Sequence, residues 1–289
     1  MKGHLQHKYK ITQTAIDIKR NMDIYLKEFL VFVTIFCWNA NTQENTNNPG
    51  IVRRMIGGKE VEIEDYPYMV AMFVKEDPKD VFDYFVGSFT LITTRTALGV
   101  AHIVKDYTTE QLLGTVGHKD KYVGTTVRFS EKIVHPDFRK QLFFYDIALL
   151  ILNSTAILPS IVKPIALPSV NRKYTSGTAL MVGWGRIGKD SSRFLKMASV
   201  NIVNVNDTVY KGQSIYMTEY VILTRQNGAS IMPGDSGGPL IYENNDGVRI
   251  EIGVSSTSQM KPGGVNIYVS TSYFIDFIKQ NCVGDLTFA

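Results

Sequence analysis

The sequence predicts an all-β protein of closed barrels that ends in an α-helix. Short apolar runs are punctuated by glycine and proline along most of its 289 residues, which is the signature of many short strands joined by turns. No amphipathic helical period is found until Tyr273–Gln280, so a terminal helix is expected there. Closure into barrels removes exposed sheet edges, which suits a chain built almost wholly of short strands. No internal repeat of fixed period and no low-complexity tract interrupts the pattern.

Taken in chain order, the first element is the apolar run Phe29–Trp38, too short to span a bilayer comfortably and followed at once by polar Asn/Gln/Thr-rich sequence. Residues 1–40 therefore read as a signal peptide or upstream extension with cleavage near Ala40. A start at Met22 would give a more ordinary signal length; a core strand or short membrane anchor is the alternative. The polar stretch 41–54 follows and ends in Arg53-Arg54. Strand-like sequence at Gly87–Ile92 leads to Ala97–His102, where an apolar run stops at a single imidazole. Asp146 then stands at the mouth of the continuous apolar strand Ile147–Leu152.

Chemistry is concentrated in Gly234-Asp235-Ser236-Gly237-Gly238-Pro239-Leu240. A serine among glycines lets backbone N–H groups converge on a reacting carbonyl, and Asp235 offers a buried partner for a positive charge. A carboxylate beside a buried strand is costly unless something donates to it, and an imidazole N–H is a suitable donor. Ser236, His102 and Asp146 thus read as nucleophile, base and orienter.

With these residues in hand, the chain resembles the chymotrypsin-like (trypsin-fold) serine endopeptidases. The order His, Asp, Ser is that family's order and differs from those of subtilisin-like and α/β-hydrolase enzymes. Met55-Ile56-Gly57-Gly58 stands where the family carries Ile-Val-Gly-Gly, Val162–Pro168 is similar to its interbarrel segment, and Gly183-Trp184-Gly185 matches a signature turn. The resemblance covers residues 55–289, a length able to bury two cores. It implies two six-stranded antiparallel β-barrels packed together, with the active site in the cleft between them.

The resemblance also implies roles. Ser236, His102 and Asp146 form the triad, and the N–H groups of Gly234 and Ser236 form the oxyanion hole. Residues 41–54 become an activation peptide cut after Arg54 by a trypsin-like protease. The new ammonium of Met55 then pairs with Asp235, Met standing where Ile is usual at similar volume. A merely exposed dibasic site is the competing reading. Ser255 matches the serine that hydrogen-bonds the triad aspartate, with an ordinary strand serine as its alternative. The specificity pocket falls on Ser230 at the floor, with Ser256, Thr257 and Gly264 as walls. An uncharged floor disfavours a basic side chain before the cut and leans towards a small or medium apolar one.

Of 31 Lys/Arg and 27 Asp/Glu, residues 1–54 hold 8 and 4, leaving 23 of each in the expected mature domain. No basic excess remains to attract nucleic acid or an anionic membrane. The expected partners are a protein or peptide substrate, the activating protease and a protein inhibitor, with no stable membrane span. His118 and His135 lack metal-ligand spacing, and His4 and His7 lie in the removable segment, so no metal and no cofactor are expected.

Only Cys37 and Cys282 occur. Signal removal leaves no internal disulfide, and Ile103, Ala166 and Met232 stand where secreted relatives have cysteine. Each missing bridge forgoes about 2–4 kcal/mol. An intracellular protein is one alternative this opens, and a catalytically silent homologue acting as a binding protein is another. The sequons at Asn153 and Asn206 and the intact triad favour a secreted enzyme.

Overall fold

A computed structural model describes residues 58–75, 84–140, 143–154, 156–169, 172–187, 190–204, 219–226, 230–259 and 263–289. The expected signal peptide, the activation peptide, Arg54, Met55 and Asn206 lie outside the described residues.

After β1 (Lys59–Glu60) and a 3-10 turn at Ile63–Asp65, six strands form the first barrel: β2 (Met69–Val74), β3 (Tyr84–Leu91), β4 (Thr96–Gly99), β5 (Leu112–Val116), β6 (Thr125–Val134) and β7 (Ala148–Leu152). Their order is β2-β3-β4-β7-β6-β5, and β5 pairs back on β2 to close the ring. Every residue of β2, β5 and β7 is buried, which is why these segments read as uninterrupted apolar or small-residue runs. A one-turn helix, α1 (Ala101–Val104), follows β4.

The second barrel uses β8 (Gly177–Gly183), β11 (Lys196–Val203), β12 (Val221–Arg225), β13 (Pro239–Glu243), β14 (Arg249–Ser258) and β15 (Val265–Ser270), with β9 (Arg186–Ile187) and β10 (Asp190–Ser191) as a small hairpin. The order β11-β12-β15-β14-β13-β8 is closed by β8 on β11, and β1 adds to β11 at its outer side. In β11 inward Ala198, Val200 and Ile202 alternate with exposed Ser199 and Asn201, the period-2 pattern of a strand with one face on the core. The two six-stranded antiparallel barrels expected from the sequence are therefore present.

Residues 165–167 tie the barrels together. Ile165 donates its N–H to Leu91 of the first barrel, Glu251 of β14 donates to Ala166, and Leu167 donates to Thr287 of the C-terminal tail. The terminal helix α2 (Ile275–Asn281) buries Ile275 and Ile278, within the stretch whose helical period was evident. No described helix is long and apolar enough to cross a membrane.

Where disulfides are missing, Ile103 is buried and its Cδ1 lies 2.5 Å from where a Cβ on Gly87 would stand. The isoleucine thus fills the gap beside a glycine. Ala166 is also buried, whereas Met232 is only half-buried. Cys282 is a free thiol at the end of α2.

Candidate active site

β4 carries the chain into α1, and that single turn places His102 at the end of a buried run. Asp146 sits just before β7 and is fully buried. Its Oδ1 accepts the backbone N–H of His102 at 2.8 Å, and its Oδ2 lies 2.7 Å from His102 Nδ1. A carboxylate partner fixes the hydrogen on Nδ1, leaving Nε2 of the neutral ring as an acceptor. The ring is anchored at Nδ1 and keeps about a fifth of its surface exposed.

A third donor reaches the same carboxylate, and it corrects the sequence expectation. Ser256 Oγ, not Ser255 Oγ, donates to Asp146 Oδ2, at 2.6 Å. The cause is a bulge in β14: Ser255 pairs with Tyr268 and Thr257 with Ile267, so Ser256 is the extra residue between them. Such an insertion re-aims the side chains around it. Ser255 Oγ is buried with no hydrogen-bond partner among the described residues, beside a small cavity that Asp235 and Tyr268 also line.

Ser236 is held against the same cleft from both barrels. Its carbonyl accepts from Ser88 of β3 at 2.9 Å, and Gly237 donates to Ser255 of β14 at 2.7 Å. A Cβ at Gly237 would stand 3.4 Å from Ile103 Cδ1, so the chain neighbours of Ser236 and His102 adjoin one another. Among the described residues the imidazole is hydrogen-bonded to Asp146 alone, without a bond to Ser236 Oγ; hydroxyl–imidazole bonds are commonly loose until substrate closes the site.

Gly234 has φ +98°, and a Cβ there would lie 2.9 Å from the Phe85 ring. A left-handed backbone in a crowded turn leaves glycine as the residue that fits. Among the described residues the N–H groups of Gly234 and Ser236 enter no backbone hydrogen bond, while those of Asp235 and Gly237 do. Two unused donors therefore flank the turn that carries the hydroxyl.

Asp235 is buried directly behind this turn. Its oxygens accept from Gly185 N at 2.8 Å and Met232 N at 3.0 Å. Burial pushes its carboxyl up to about 7, against the lowering effect of those two N–H groups. A Cβ on Gly185 would come within 2.0 Å of Asp235 Oδ2. This close approach is the physical reason for a glycine at the end of Gly183-Trp184-Gly185.

At the expected pocket, Ser230 is fully buried and uncharged. Its hydroxyl meets Asn266 Oδ1 at 3.1 Å, which also accepts Ile231 N at 2.9 Å, and Asn266 Nδ2 donates to Thr224 at 3.2 Å. The residue facing Ser230 is thus Asn266, two positions after Gly264, the wall expected from sequence. Ser258 Oγ donates to Ile231 at 2.8 Å, and Thr257 is half-buried on the bulged strand. Asn266 carries no sequence signal beyond its polarity inside the apolar run of β15.

Phe143 was also not evident from sequence. Its ring packs edge-on against His102 at 5.2 Å, and it has φ 53°, while Tyr145 has φ 52°. Two aromatic residues in the left-handed region, just before Asp146, are a strained arrangement held by their surroundings. His135 stacks on Tyr145 at 5.0 Å and is partly buried, which lowers its pKa. Asn153 is exposed.

Comparison with known proteins gives a consistent picture. The family model described as Trypsin matches residues 55–278. The chain is 27% identical to trypsin-1 of Astacus astacus over 242 residues, covering 79% of this chain and all of that protein. It is 25% identical to the venom peptide isomerase heavy chain of Agelenopsis aperta over 249 residues, with 79% and 100% covered. With phenoloxidase-activating factor 2 of Galleria mellonella it shares 28% over 269 residues, covering 82% and 88%.

Proposed function

The chain belongs to the trypsin family, and from that premise we propose that it is a secreted serine endopeptidase, made as a zymogen and activated by cleavage after Arg54. The observation that carries the reading is the hydrogen-bonded line His102–Asp146–Ser256 set beside the Ser236 turn. Ser236 Oγ attacks the scissile carbonyl, and His102 Nε2 takes its proton and later delivers it to the leaving amine. Asp146 holds the ring tautomer and stabilises the imidazolium. The N–H groups of Gly234 and Ser236 receive the developing oxyanion.

Activation follows from the state of Asp235. A buried carboxylate whose protonated form is favoured by desolvation gains most from a buried cation. Cutting after Arg54 creates that cation at Met55. Its docking fixes Asp235 charged and sets the Gly234–Ser236 turn. The fold must also supply the stability that disulfides give related proteins. On the substrate side, Ser230 and Asn266 give a neutral polar floor, which favours an uncharged side chain before the cut.

The test uses protein cleaved after Arg54. A fluorophosphonate probe is expected to label the cleaved chain and to leave Ser236→Ala and the uncleaved chain unlabelled. Absence of labelling in folded, cleaved protein would overturn the proposal in favour of a binding homologue. A peptide panel varied before the scissile bond reads the preference, and cleavage after Arg or Lys as the best substrates would overturn the pocket assignment.

A further inference from the structure

Lys121 is 1% exposed, and full burial of a lysine is rare without a paired carboxylate. The nearest acid on its own loop, Asp120, is taken by Arg193, whose Nε lies 2.7 Å from Asp120 Oδ2. Lys121 instead donates to Ser191 Oγ at 2.5 Å and to the Ser192 carbonyl at 2.8 Å. Its ammonium also sits 4.0 Å from the centre of the Phe85 ring and 5.2 Å from that of Tyr122. Desolvation lowers its pKa to about 8, so the position costs stability and is held by these local contacts.

Both sets of contacts lead to the same place. Ser192, whose carbonyl Lys121 holds, donates its N–H to Gly185 O at 3.0 Å, and Gly185 N donates to Asp235 Oδ1 at 2.8 Å. The Phe85 ring under the ammonium abuts Gly234, lying 2.9 Å from where a Cβ would stand. The segment is further tied by Arg186 N to Pro233 O at 2.9 Å. One side chain of the first barrel thus bears on Gly234 from one side and on Asp235 from the other.

We propose that Lys121 is a positioning residue for the oxyanion hole, clamping Ser191, Ser192 and Phe85 so that the Gly234 and Ser236 N–H groups stay aimed at the developing charge. The proposal rests on the protease reading above and adds a part to it. Donors fixed in advance matter because their reorganisation otherwise falls within the reaction barrier. Lys121 touches neither substrate nor triad and acts through Ser192 and Phe85.

The experiment compares cleaved wild type, Lys121→Met, which keeps the stem and loses the donors, and Lys121→Arg, which keeps charge and donors. Active sites are counted with a fluorophosphonate. Then kcat, KM and the affinity for a peptide aldehyde, whose adduct places an oxyanion in the same hole, are measured per active site. Lys121→Met is expected to lower kcat and aldehyde affinity together by about tenfold with KM unchanged, and Lys121→Arg to stay within about twofold of wild type. Unchanged kcat and aldehyde affinity in Lys121→Met, or a loss in KM alone, overturns the clamp. If Lys121→Met does not fold, Ser191→Ala is expected to lower kcat by about threefold through loss of one acceptor, and no change overturns the clamp instead. Failure of the wild type itself to label would sink the protease reading, a result distinct from a wild type that turns over no faster than Lys121→Met.

Discussion

Among the described residues four carboxylates are buried to 3% exposure or less; Asp120 is paired with Arg193, and the surroundings of the other three, Asp146, Asp235 and Glu251, differ. Asp146 accepts from the His102 backbone, the His102 ring and Ser256. Asp235 accepts from two backbone N–H groups. Glu251, in the middle of β14, has no hydrogen-bond partner on either oxygen among the described residues. Burial raises Glu251 well above the ordinary carboxyl range, offset only in part by the neighbouring Thr90 hydroxyl. The lesson is one of donor supply: the fewer N–H and O–H groups reach a buried carboxylate, the more its burial favours the neutral form.

The comparison breaks most visibly at Asp235. In the cleaved enzyme, Asp235→Asn is expected to cut kcat by roughly a hundredfold to a thousandfold, the scale of a damaged oxyanion hole. In the uncut chain the folded carboxyl titrates about 7 against an ordinary 3.8. Its stabilising contribution is therefore complete below about pH 4 and is lost as pH rises through 7. Thermal melts from pH 4 to 8 should show this slope in the uncut chain, and Asp235→Asn should flatten it.

A finer test separates the two adjacent serines. Ser256→Ala removes a donor to a charged group and should lower kcat about tenfold, whereas Ser255→Ala should change it by less than about twofold. Steady-state kinetics per labelled site decide, and equal effects would contradict the bulge assignment. At Glu251 the direction reverses. Glu251→Leu removes an unpaired buried acid and should raise stability by about 1–3 kcal/mol at pH 8 with kcat unchanged, as read from denaturant melts and kinetics. Because the folded pKa is raised, the cost of Glu251 grows as pH rises, so the gain should shrink towards pH 4.

Much of this was legible in sequence where one residue type has one workable setting. The glycines around Ser236 signalled the turn, an imidazole ending an apolar run marked His102, and an acid opening the run of β7 marked Asp146. The barrels were legible because inward apolar residues and Gly/Pro turns repeat along the chain. The departures arise from backbone register. The bulge between Ser255 and Thr257 moves the useful hydroxyl by one position, and neighbouring serines look alike in a sequence. Asn266, which bonds Ser230, was missed because its contact is made across strands and a lone polar residue in an apolar run gives no sign of it. The left-handed Phe143 and Tyr145 run against residue preference and are imposed by tertiary packing. Lys121 carries no signal in the sequence, since only the fold shows what covers it.

The central claim is that Asp146 orients His102 for attack by Ser236. It is tested most directly by kcat of the cleaved enzyme carrying Asp146→Asn, set beside Glu251→Gln. The account predicts a loss of about ten-thousandfold for Asp146→Asn, because the amide no longer holds the required tautomer, and no loss for Glu251→Gln. Comparable activity in the two variants would contradict it.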